Sequence, residues 1–181
     1  MSNLRVAYRY ALAVISVAEE FKAVDAVSKD FGLLEAMIVE VREFALFLRS
    51  PVINQEKKKS VLITLLKGNV GDLASKFVLL LASKGREGLL PEIITEFYRL
   101  RDDRRGIVNA TARSAVKFTD AQQQELVRRL ESATGRQAKV RYELDPSLRG
   151  GFTVQHEDTV WDASVKHQLE LLEQKFAEAA M

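Results

Sequence analysis

The spacing of apolar residues changes once along this chain, at a charged cluster. Up to Arg101-Asp102-Asp103-Arg104-Arg105, then Gly106, apolar residues recur every three or four positions, the period of a helix with one buried side. Beyond it they alternate, the period of a half-buried strand. A segment patterned for one period cannot bury its apolar set in the other conformation. The chain is therefore read as two parts, residues 1–105 and 106–181.

The first part carries helical signals almost throughout. Val6, Tyr10, Ala13, Val14, Val17 and Phe21 form one stripe. Val24, Val27, Phe31, Leu34, Ile38, Val41 and Leu48 form another, expected to be interrupted at Gly32 and stopped by Ser50-Pro51. Val61, Leu62, Leu65 and Leu66 mark a fourth segment, ended by Gly68-Asn69. Asp72 is placed to cap a fifth segment that Gly85 ends. Pro91 stands near the start of a sixth, where its missing N–H costs little, and Ile93, Ile94, Phe97 and Leu100 give that segment its apolar face.

In the second part, Val108, Ala110, Ala112, Ser114 and Val116 alternate with Ile107, Asn109, Thr111 and Arg113. Thr119-Asp120-Ala121-Gln122 has the form of a capping box, opening a helix with Leu126, Val127 and Leu130 inward and Gly135 at its end. Ala138, Val140, Tyr142 and Leu144 then alternate with Lys139, Arg141 and Glu143. Asp145-Pro146 sets a turn. Gly150-Gly151 allows positive φ or a close backbone approach. Phe152, Val154 and His156 alternate with Thr153 and Gln155, and Asp162 or Ser164 can cap a closing helix. The expected fold class is α+β: an N-terminal six-helix bundle, then a small C-terminal β-α-β-β-α domain.

The first helix has two apolar faces. Leu4, Tyr8, Leu12 and Ile15 lie about half a turn from Tyr10, Val14 and Val17. Phe77 to Ala82 is apolar all round. Two such helices either both sit centrally in the bundle or leave one face as a groove for a partner helix.

Reaction chemistry finds little support. There is no Cys, which excludes disulfides, thiolate catalysis and thiolate-bound zinc. His156 and His167 lack metal-ligand spacing, and structural or surface roles are expected for both. Neither a phosphate-binding loop nor a nucleophile elbow is present. Asp102 and Asp103 are adjacent, so on a helix they do not face one another; they are expected to be solvated and paired with the neighbouring arginines. Lys57-Lys58-Lys59 is read as a solvated face, the competing reading being a nucleic-acid-binding adaptor that uses this basic surface. The net charge of +2 does not demand such a partner. Trp161 is expected in the core at a strand end. The longest apolar run, Phe77 to Ala82, is far short of the roughly 18 to 20 residues of a membrane span. Met1-Ser2-Asn3-Leu4-Arg5 has neither a secretory nor a transit-peptide pattern, so a cytoplasmic origin is expected.

Several segments, in order, resemble one family. They are Ala7-Tyr8-Arg9-Tyr10-Ala11-Leu12-Ala13; Phe47-Leu48-Arg49-Ser50-Pro51-Val52-Ile53, with the lysines and Leu65-Leu66 after it; and Lys84-Gly85-Arg86 with Leu89-Leu90-Pro91-Glu92-Ile93. Ala112-Arg113-Ser114-Ala115 and Thr134-Gly135 follow. Last come Asp145-Pro146-Ser147-Leu148-Arg149-Gly150-Gly151-Phe152 and Trp161-Asp162-Ala163-Ser164-Val165. Together they resemble the delta subunit of bacterial and chloroplast F-type ATP synthase, whose mitochondrial counterpart is the oligomycin-sensitivity-conferring protein. Ala163 stands where the family often has Gly, and His167 where it often has Arg.

The resemblance implies a non-catalytic stator subunit, without cofactor or metal, present in one copy per complex. The domain 1–105 would bind the N-terminal helices of the alpha subunits of the catalytic head. Tyr10, Ala13 and Val14 would line one wall of a groove between the first and fifth helices; Leu80 would line the other, with Phe77 and Lys84 nearby. The domain 106–181 would bind b-type peripheral stalk subunits, with Asp145, Pro146, Gly150, Gly151, Asp162 and Ser164 forming a structural turn. Holding the head still prevents co-rotation and couples proton flow to ATP synthesis. No nucleic acid is implied. The subunit would lie peripherally on the cytoplasmic face of a bacterial inner membrane, the alternative being the stromal face of the thylakoid.

Overall fold

The computed structural model describes residues 3–50, 52–156 and 159–179, with side chains of the last helix described at 165–172 and 176. It divides into two compact units, Met1–Arg101 and Asp102–Met181. The first contains α1 (Asn3–Glu20), α2 (Val24–Glu40), α3 (Arg42–Arg49), α4 (Gln55–Leu66), α5 (Asp72–Ser83) and α6 (Leu90–Arg104), which runs past the boundary. A short 3-10 turn, Glu87–Leu89, precedes α6. Ile15, Phe31, Leu34, Leu62, Val78, Leu81, Ile93 and Phe97 are fully buried in one core. Phe31 anchors it: its ring meets Phe97 edge-on at 4.8 Å and Phe77 at 5.9 Å between centroids.

Two expectations for the helix boundaries of this unit are corrected. Gly32 does not interrupt α2. A mid-helix glycine costs only about 1 kcal/mol relative to alanine, and the buried Phe31 and Leu34 beside it override that. The break falls instead at Val41, whose extended backbone (φ −108°, ψ 91°) separates α2 from α3. Asp72 does not cap α5. It is the first helical residue, and Gly71 before it donates its N–H to Asp30 Oδ2 at 3.1 Å. Helix α3 ends at Arg49 and Ser50 is extended; Pro51, expected to share in that stop, lies outside the described residues.

The lysine run is not a solvated face. Lys58 is 4% exposed, and its ammonium donates to Glu87 Oε1 at 2.5 Å and to the Leu48 carbonyl at 3.1 Å. That one side chain ties α4 to α3 and to the turn before α6. Only Lys57 and Lys59 face water, so the basic surface loses its central cation.

The second unit contains β1 (Ile107–Ser114), α7 (Asp120–Thr134), β2 (Gln137–Leu144), β3 (Phe152–His156), β4 (Thr159–Asp162) and α8 (Val165–Ala179). The sheet order is β2-β1-β3-β4. Strands β1 and β2 pair in parallel from Ile107↔Gln137 to Ser114↔Leu144, with α7 as the crossover; β3 pairs antiparallel with β1 and with β4. The Thr119 capping box opens α7, and Gly135, at φ 66°, closes it. Leu126 and Leu130 pack with Ala110, Ala112 and Val154, while Phe118 sits edge-on to Tyr142 and Phe152.

Here too the structure departs from expectation. Strand β4 is a fourth strand that the β-α-β-β-α order lacks; Trp161 does lie near the end of a strand, but it is 44% exposed rather than core. Val116 lies beyond β1 and is exposed. Asp102 is buried and accepts from Asn109 Nδ2 at 2.8 Å, and Asp103 pairs with Arg136 at 2.8 Å rather than with an adjacent arginine. His156 Nδ1 is 3.0 Å from the Asn109 carbonyl oxygen, a strand-to-strand tie.

Replacing Lys58 leaves Glu87 buried without its counter-charge. Lys58→Ala is expected to lower stability by about 3–5 kcal/mol in urea unfolding followed by circular dichroism. Lys57→Ala and Lys59→Ala should each stay within about 0.5 kcal/mol.

Candidate functional site

The site begins with the way α1 is buried. Ala7, Ala11, Val14, Ile15 and Ala18 fall on one arc of about 100° and are at most 3% exposed. Alanines make most of that contact, and small residues let helix axes approach closely. The two larger stripes therefore sit on the flanks, contributing Val14 and Ile15 at their inner edges. On one flank Leu4, Tyr8 and Leu12 are 63%, 39% and 37% exposed, with the Arg99 guanidinium 5.7 Å from the centre of the Tyr8 ring.

The other flank faces α5 across a cavity of about 680 Å³. Tyr10, Ala13, Val14, Val17, Phe21 and Ala23 line it on the α1 side. Asp72, Leu73, Lys76, Phe77 and Leu80 line it on the α5 side. Phe21 is 68% and Leu80 48% exposed, so large apolar side chains border an open trough. The helices run antiparallel: Phe21 and Ala23, at and beyond the end of α1, meet the start of α5. Asn3 shares a separate hollow with Gly85 and Arg86, beyond the end of α5.

Of the six residues assigned to this groove from sequence, Tyr10, Ala13, Val14, Phe77 and Leu80 line it together. Lys84 does not; it is the C-cap residue of α5, about one turn past Leu80. Leu73 and Lys76 were missed, although they precede Leu80 by seven and four residues and so share its face.

The six turn residues also come together. Asp145 Oδ1 accepts from the Ser147 N–H at 3.0 Å and from its hydroxyl at 2.6 Å, and Pro146 opens a 3-10 turn that buries Leu148. Gly151 has φ 72°, and a Cβ there would lie 2.2 Å from the Ala163 carbonyl oxygen. A Cβ on Gly150 would meet the Val165 side chain at 2.9 Å. The close approach carries backbone hydrogen bonds from Ala163 to Phe152 and from Val165 to Gly150. Asp162 Oδ1 accepts from the Ser164 N–H, and Ser164 Oγ from the His167 N–H, which caps α8. Both carboxyls are held below the usual range. For Asp145 the Ser147 hydroxyl contributes most and its N–H next; for Asp162 the Ser164 side chain leads and its N–H follows.

Among the described residues no group of three or more His, Cys, Asp or Glu side chains is placed to hold a metal, and no helix is long and apolar enough to cross a membrane. An apolar trough and a tight turn place the chain in the class of two-unit proteins with an open apolar surface groove.

Comparison with known proteins gives that class its family. Residues 6–176 match the family model for the ATP synthase delta (OSCP) subunit. The chain is 42% identical over 172 residues to ATP synthase subunit delta of Chlorobaculum parvum, covering 95% of each chain. It is 40% identical over 180 residues to the subunit of that name from a strain of Chlorobium phaeobacteroides, covering 99% of this chain and 100% of the relative. Its fold matches a chain in a cryo-EM structure of the Toxoplasma gondii mitochondrial ATP synthase hexamer, with a TM-score of 0.72, 24% identity and coverage of 94% and 97%. The chain belongs to the ATP synthase delta (OSCP) subunit family. It is a non-catalytic peripheral-stalk subunit of F-type ATP synthase, peripheral to the membrane complex, and the nucleic-acid reading has no support.

Gly151→Val is expected to destabilise the second unit by at least about 2 kcal/mol, from backbone strain together with the collision at Ala163. Gly135→Ala separates the two effects. Gly135 also has positive φ, but nothing lies within 4 Å of its Cβ position, so about 1–2 kcal/mol is expected. Urea unfolding monitored by Trp161 fluorescence measures both.

Proposed function

We propose that the first unit grips the N-terminal helix of an alpha subunit of the catalytic head in the α1/α5 groove, and that the second unit holds the C-terminal ends of b-type stalk helices. The groove is the observation that carries this reading. Its walls present exposed apolar side chains, Phe21 and Leu80 among them, for an amphipathic helix to cover. Support for the second grip comes from α8, where Val165, Leu169, Leu172 and Phe176 follow helical spacing and are 40%, 44%, 49% and 72% exposed. Such a row on a short helix is the usual form of a partner-helix seam. One copy would join head to stalk on the cytoplasmic face of a bacterial membrane, or on the stromal face of a thylakoid. The head is thereby held while the central shaft turns, and rotation becomes torque instead of idle spinning.

A charge in the groove should abolish its fit without unfolding the exposed position that carries it. Leu80→Asp is expected to weaken binding of a synthetic alpha N-terminal helix by at least about 2 kcal/mol in calorimetry. Unchanged affinity would remove the groove from this role. Deleting residues 107–181 should leave ATP hydrolysis by the reconstituted enzyme intact while ATP-driven proton pumping collapses. Leu169→Asp combined with Leu172→Asp should do the same in milder form. Pumping at the full-length level would overturn the division of labour.

A further inference from the structure

Strand β2 stands at one edge of its sheet, paired with β1 alone. Along a strand, successive backbone N–H groups point to opposite edges. The N–H groups of Gln137 and Asp145, at the two ends of β2, reach the carbonyls of Gly106 and Ser114 on the β1 side. The odd-numbered residues of β2 therefore face β1, and the backbone groups of Ala138, Val140, Tyr142 and Leu144 face outward. Glu131 Oε1 accepts from the Ala138 N–H at 3.1 Å and covers that end of the edge. From Val140 to Leu144 no strand or side chain among the described residues covers it. Bare backbone of this kind is a template for a further strand. The other edge, β4, is only four residues long, and shortness is itself a protection.

We propose that the unassembled chain pairs with a second copy of itself along β2, antiparallel and centred on Tyr142. A two-fold axis at Tyr142 sets each Val140 opposite Leu144 of the second copy, and each Arg141 opposite its Glu143. Val140, Tyr142 and Leu144 are the residues with outward backbone groups, so each of their pairs exchanges two hydrogen bonds. Opposed side chains share a face. On one face Arg141 meets a carboxylate that already accepts from Arg113 at 3.0 Å. On the other, Leu144, 64% exposed in the single chain, is laid against Val140, beside a hollow of about 370 Å³ that Val140 and Tyr142 form with α7. Charge fixes the register. Moving the axis to Arg141 puts the two Arg141 side chains opposite each other, and moving it to Glu143 does the same to two carboxylates; like charges so placed are destabilising. Of these three axes, only the one at Tyr142 sets every Arg141 against a Glu143. The contact is short, so the pairing is weak and reversible.

The full chain is expected to associate reversibly between about 10 µM and 1 mM in sedimentation velocity, the range of a small interface. In amide hydrogen exchange, Val140, Tyr142 and Leu144 should slow as concentration rises, while Lys139 and Arg141, already bonded to β1, should not change. Two charge variants read the register. Arg141→Glu leaves only carboxylates at the opposed positions, and Glu143→Arg only guanidinium groups, so each alone should associate about tenfold more weakly. An equimolar mixture of the two restores both opposite-charge pairs and should associate as the unaltered chain does. Both side chains are exposed, and circular dichroism should be unchanged. A chain that stays monomeric at the top of that range, association that ignores both variants, or a mixture no stronger than its parts would overturn the pairing. So would concentration-dependent protection confined to the α1/α5 groove or to α8, which would mean self-association through another face.

Discussion

A helix packed against neighbours on one side can bury only one arc of its circumference, and in α1 that arc is mostly alanine. Everything else about the first unit's surface depends on this. Because Ala7, Ala11 and Ala18 take the inner position, the larger residues of α1 cannot all reach the core, and they remain on both shoulders. A leucine-faced α1 would stand farther from its neighbours and turn its bulk inward. The groove is the outcome of small residues at the contact and large ones beside it, so its width is set by packing density in the core.

Much of this was legible in the sequence, and the omissions have physical causes. Helical spacing identified α1 to α6, and alternation identified β1, β2 and β3, because a stripe of valines and leucines constrains the chain over many residues. The buried arc of α1 was not seen because alanine contributes little apolar signal. The break at Val41 was invisible for want of a Gly or Pro, whereas Gly32 signalled a break that packing prevents. Lys58 was misplaced because lysine is almost always exposed, and its partner Glu87 is 29 residues away. Strand β4 is only four residues long, too short for alternation to register, and Trp161 was moved inward on residue type alone.

At the C-terminal turn the sequence pattern and the geometry explain one another. Gly150 and Gly151 are small because the segment leading into α8 crosses directly over them. Asp145 and Asp162 each take up N–H groups that the turns would otherwise leave bare. Ala163, where the family often has glycine, presses on Gly151 through its carbonyl oxygen, while the residue itself is exposed, so its methyl group adds no crowding. His167 in place of a common arginine still offers its N–H to Ser164, a contact made by backbone and indifferent to side chain.

Trp161 is the only tryptophan in the chain, and it stands half in water on the outermost strand of the second unit's sheet. An indole so placed emits toward the red and shifts blue when something dry is laid over it. The α1/α5 groove contains no indole at all, only the phenol of Tyr10. The two halves of the molecule therefore speak at different wavelengths. A single unlabelled sample, excited selectively at the red edge, reports events at the sheet while remaining silent about the groove.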